Sequence, residues 1–147
     1  MINRNEILAK LHQTLDQKTQ YFQNLIEDLR SSNTDTKSSM GDKYETSREM
    51  LQQEIMQLQR QLDNVLMQKS ILNRVKEPVH EKISFGSIVK TSMGNFVIAI
   101  SLPEFDVSGE KYIGISEQTP LARQLIGKSK TDTFTIQQKE KEILEIG

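Results

Sequence analysis

A chain of 147 residues that is 35% hydrophobic, 27% charged and 5% aromatic holds one modest core, or a small core plus an extended element, but not two full domains. Its 19 Lys and Arg against 20 Asp and Glu leave a net charge of -1, which excludes binding through a uniformly basic surface, such as wrapping of duplex DNA, while leaving local contact with nucleic acid open. The absence of Cys excludes disulfides, thiolate zinc sites and a cysteine nucleophile. No apolar signal core follows the start, and no stretch approaches the roughly 18 apolar residues of a membrane span. A soluble, cytoplasmic protein without membrane partners is expected.

Composition shifts at Pro78. All three prolines (Pro78, Pro103, Pro120) and six of the seven glycines lie from there onward, whereas residues 1–77 contain only Gly41 and are rich in Gln, Leu, Lys and Glu. In the first part Leu8, Leu11, Leu15, Phe22, Leu25 and Leu29 recur at alternating steps of three and four, with Lys18 at the one polar seam position. This is a heptad stripe. A second stripe runs through Leu51, Ile55, Leu58, Leu62, Val65 and Leu72, interrupted by Lys69 and stopped by Pro78, because proline disfavours helix in the residue before it. Ser31 to Gly41 is a run of turn and capping residues, so the helices are expected to break there. Two matched stripes and a short connection predict an antiparallel coiled-coil hairpin over 1–77, its tip near 31–45, with arms of roughly 28 residues or about 40 Å.

From Pro78 the pattern predicts short strands over Ser84 to Thr91, Asn95 to Ser101, Lys111 to Ser116, Thr133 to Gln137 and Glu142 to Ile146. In the second of these Phe96, Ile98 and Ile100 form the bulkier face and should point to the core. Met93-Gly94-Asn95 and Ser108-Gly109-Glu110 read as hairpin turns. Thr119, Pro120 and Gly127 read as cap, first helical residue and stop of one short helix. The fold class is therefore α+β: a helical hairpin followed, over 78–147, by a small antiparallel sheet domain with one helix.

Phe85-Gly86-Ser87-Ile88-Val89, the run from Ile115-Ser116-Glu117-Gln118-Thr119-Pro120 through Leu121-Ala122-Arg123-Gln124-Leu125-Ile126-Gly127-Lys128, then Asp132-Thr133-Phe134 and the terminal Glu142 to Ile146 resemble the C-terminal domain of Gre transcript cleavage factors. The resemblance covers the whole chain in architecture and the second half in motif. It implies a projecting hairpin before an FKBP-like domain, and a monomeric, non-enzymatic accessory protein of transcription elongation. Its partners would be bacterial RNA polymerase at the secondary channel and, through it, nascent RNA, within the DNA-bound transcription machinery. No cofactor would be stably bound. Two acids at the hairpin tip would help hold a magnesium ion of the polymerase active site, so that the polymerase hydrolyses its own backtracked transcript. Carboxylates suit this hard cation, and a pair can complete a site without forming one alone.

Gly41-Asp42-Lys43-Tyr44-Glu45 matches the glycine-aspartate, two residues, glutamate of Gre tips, and makes Asp42 and Glu45 the candidate catalytic and metal-binding acids. Thr46-Ser47-Arg48-Glu49 departs from the run that follows in the family. If Tyr44 to Glu49 is matched to the family's later tyrosine segment instead, the acid positions fall on Lys37 and Met40, neither of which binds magnesium. That alignment implies a polymerase channel-binding regulator without cleavage stimulation. Both alignments stand on the sequence.

Simpler roles compete at each residue. Asp42 and Glu45 have the spacing of a capping box. Lys18 and Lys69 suit register-setting snorkelling residues. Arg30, Lys37, Lys43 and Arg48 around the tip are candidates for RNA phosphates, or solvated helix ends. Arg123 and Lys128 match family positions, beside apolar residues that an amphipathic turn would bury. Ala122 to Ser129 lacks the first glycine of a phosphate-binding P-loop, and His12 and His80 lie in different elements, too few for a histidine cluster. Prolyl isomerase activity would need an aromatic-lined pocket that this composition does not supply. A coiled-coil adaptor joining protein partners is the remaining alternative, disfavoured as a parallel dimer because Lys18 would face its own copy.

Overall fold

The computed structural model describes residues 2–35, 41–76 and 81–147, with side chains described outside 32–46. Helix α1 (Arg4–Asp35) and helix α2 (Gly41–Leu72) precede six strands, β1 (Ile88–Thr91), β2 (Asn95–Ala99), β3 (Leu102–Val107), β4 (Glu110–Ser116), β5 (Thr133–Ile136) and β6 (Lys139–Ile146), and the short helix α3 (Pro120–Leu125) lies between β4 and β5. This is the expected α+β architecture. Ser31 to Asp35, expected in the connection, continue α1 instead. The chain forms two compact units, one of residues 12–69 and one that joins 1–11 to 70–147.

In the helical unit Leu15, Thr19 and Ile26 of α1 and Leu62 and Val65 of α2 are buried. Lys69 Nζ lies 2.9 Å from Asp16 Oδ1, which sets the end of α2 against the beginning of α1 and makes the pair antiparallel. The interrupting lysines therefore have different surroundings. Lys69 reaches an acid across the seam, whereas Lys18 is only half-buried and Thr19 takes the buried position, its hydroxyl donating to Leu15 O at 2.8 Å. That bond satisfies a polar group that would be costly to bury alone.

The six strands form one sheet in the order β3-β4-β2-β1-β6-β5. It is mixed rather than wholly antiparallel, because β4 returns beside β2 in parallel, pairing Phe96 with Ile113 and Ile98 with Ile115. β3, not expected from the sequence, is the outer strand of the β3–β4 hairpin. It carries Pro103, which has no N–H to donate and is tolerated only at a sheet edge or irregularity; the register shifts there, between Leu102 and Phe105. β1 starts at Ile88 rather than Ser84, because Ser84 to Ser87 close a turn in which Ser87 N donates to Ser84 O and Ser84 N to Ser87 Oγ, both at 3.0 Å.

One face of the sheet carries the core expected from Phe96 and Ile98, whereas Ile100, expected with them, lies past the end of β2 and is buried outside that cluster. Phe96 and Ile98 pack with Ile83, Val89, Ile115, Ala122, Leu125, Phe134 and Ile143. Each such Ile, Val, Leu or Phe side chain taken from water contributes roughly 1.5–3 kcal/mol. Val97 and Ala99, on the opposite side of β2, are buried as well, so both faces are covered. The first turns of α1 belong to this unit. Ile7 is buried and lines one cavity with Lys90, Val107 and Tyr112. Arg4 ties the same turns down: Nη1 donates to Gly86 O at 2.7 Å and Gly147 O at 3.2 Å, and Nη2 to Lys76 O at 2.7 Å. A guanidinium can hold three carbonyls from three parts of the chain because its donors are fixed in a planar fork.

Candidate functional site

The sequence-derived site residues sit on the helical unit. Asp42, Lys43 and Glu45 lie in the first turns of α2, and three residues apart the two acids share a helix face; their side chains are outside the described ones. Lys37 and Met40 lie outside the described residues. Arg30, near the end of α1, and Arg48, in the second turn of α2, are exposed. No group of three or more His, Asp or Glu among the described residues could hold a metal ion. A carboxylate pair alone does not make a magnesium site.

The motif-bearing half folds as its local signals require. β4 ends at Ser116, whose carbonyl accepts from the Thr119 hydroxyl at 2.9 Å and from Thr119 N at 3.1 Å. Thr119 Oγ1 then accepts from Ala122 N at 3.2 Å as the N-cap of α3, with Pro120 opening the helix. Gly127, at φ +90°, turns the chain out of α3, and its N–H donates to Ile83 O at 2.8 Å. Ala122 and Leu125 are buried while Arg123 is exposed. Ile115 to Lys128 thus form the end of a strand, a capped turn and a short helix that packs on β5.

Sequence reasoning did not find the polar network where the β3–β4 turn meets β1 and the start of α1. A cavity of about 220 Å³ is lined by Asn3, Glu6, Lys90, Ser108, Glu110 and Tyr112 with Ile7 and Val107. Lys90 Nζ is 2.7 Å from Glu110 Oε2, and the Tyr112 hydroxyl donates to the same oxygen at 3.0 Å. The bond to Lys90, and then that to Tyr112, hold the Glu110 carboxyl below the usual carboxylate range. Burial, reinforced by Glu110, pushes the Tyr112 phenol up to about 12. Ser108 Oγ donates to Glu6 Oε1 at 2.9 Å and Asn3 Nδ2 to Glu6 Oε2 at 3.2 Å. The polar groups thus satisfy one another and lock the β3–β4 turn onto the first turn of α1. The bond that joins the two parts, from Ser108 to Glu6, spans 102 residues, for which a single sequence carries no local signal.

No protein-family model matches the sequence, and no curated protein matches it. Among solved structures the chain is similar to the GreA factor homolog 1 (Gfh1) protein of Thermus thermophilus, at 19% identity and a TM-score of 0.37 over 92% of this chain and 94% of that one. It is also similar to Thermus aquaticus Gfh1, at 19% identity and a TM-score of 0.31 over 97% and 92%. At that level of superposition neither likeness bears on function. No described helix is long and apolar enough to cross a membrane.

Proposed function

We propose that this chain is a Gre-like transcription elongation factor: a cytoplasmic, monomeric accessory protein that binds RNA polymerase at its secondary channel and stimulates cleavage of backtracked transcripts. The observation that carries this reading is the Ile115 to Lys128 segment, whose resemblance to Gre factors falls on one structural unit, β4, the Thr119 cap, α3 and Gly127. An antiparallel helical pair before the sheet accords with it. Asp42 and Glu45 are the acids that would hold magnesium together with the polymerase, and Arg30, Lys37, Lys43 and Arg48 the cations that would meet transcript phosphates. The magnesium ion supplies charge stabilisation and an activated water for hydrolysis; the role of this chain is to bring two carboxylates at the start of a long helix.

The second reading, a channel-occupying regulator without cleavage stimulation, is favoured by Thr46-Ser47-Arg48-Glu49 and by the alignment that puts Lys37 and Met40 at the acid positions. Both readings require binding to polymerase, which the coiled-coil adaptor does not. Retention of core RNA polymerase on the immobilised full chain, displaced by free chain, is the expected result. No retention at any ionic strength compatible with an active polymerase would favour the adaptor.

A further inference from the structure

We draw no further inference here: the strongest candidate, the outer edge of β5 at one end of the sheet, carries nothing, because the strand is four residues long, its Phe134 is already buried in the core, and nothing in the structure shows what covers that edge.

Discussion

Gly114 lies where the chain leaving β2 for β3 crosses β4, and a Cβ placed there would stand 2.5 Å from Ile100 O and 3.0 Å from Leu102 N. Backbone atoms on both sides leave no flexible side chain to yield. Gly114→Ala should cost about 1–3 kcal/mol and lower the thermal midpoint by several degrees, read by circular dichroism; an unchanged midpoint would mean that the crossover is free to shift. Tyr112 gives a second residue-scale expectation. Its phenol is raised to about 12, above the value near 10 of an unfolded tyrosine, so the fold favours the protonated form. The stabilisation is complete below about pH 10 and is lost as pH rises through about 12. An ultraviolet titration should show one tyrosine ionising near pH 12 and lose that step in Tyr112→Phe; three phenols ionising together near pH 10 would contradict it. Glu110, held low, acts in the opposite direction: its contribution is present above the unfolded carboxylate pKa and fades as pH falls through its own.

At the scale of elements, the turn between β5 and β6 departs from usual turn chemistry. Gln137 and Gln138 adopt φ of +51° and +65°, the pair of positive values that Ser108 and Gly109 adopt at +53° and +80° in the β3–β4 turn. Such two-residue hairpins favour Asn-Gly because side chains with a full Cβ are strained there. Replacing Gln137-Gln138 with Asn-Gly should stabilise the chain by about 1 kcal/mol, measured by urea unfolding, and a loss of stability would show that the glutamines make compensating contacts. The same contrast explains what could be read beforehand. Ser108-Gly109 and the Thr119 to Gly127 helix were legible because glycine, proline and a capping threonine act within a few residues. β3 was not, since Pro103 argues against a strand unless its edge position is known. The parallel pairing of β2 with β4 was equally hidden, because it depends on a crossover whose only trace is one glycine inside a strand. The β4–α3 turn was legible through local capping. The Arg4 clasp and the Lys90-Glu110-Tyr112 network were not, since their partners are brought together by tertiary packing.

For the whole molecule, the division into units differs in kind from the change in composition at Pro78. The sheet unit includes residues 1–11 and 70–76, and Arg4, Ile7 and Leu72 contribute to it as buried or bonded groups. The roots of both helices are therefore anchored to the sheet domain, while the acids proposed to act lie at the start of α2, about 30 residues from that helix's root. Under the proposed function, polymerase binding and stimulation of cleavage would fall on separate parts of one chain. They can be separated by the charge-neutral substitutions Asp42→Asn and Glu45→Gln, which keep side-chain size and much of the capping capacity. Transcript cleavage by a stalled, backtracked RNA polymerase complex, followed with the wild-type chain and with D42N/E45Q at matched occupancy, bears most directly on the proposed function. Acceleration by the wild type, lost in the double variant while polymerase binding persists, is the expected result. A wild-type chain that occupies the polymerase but never accelerates cleavage at any magnesium concentration would contradict it, and would leave the channel-occupying regulator in its place.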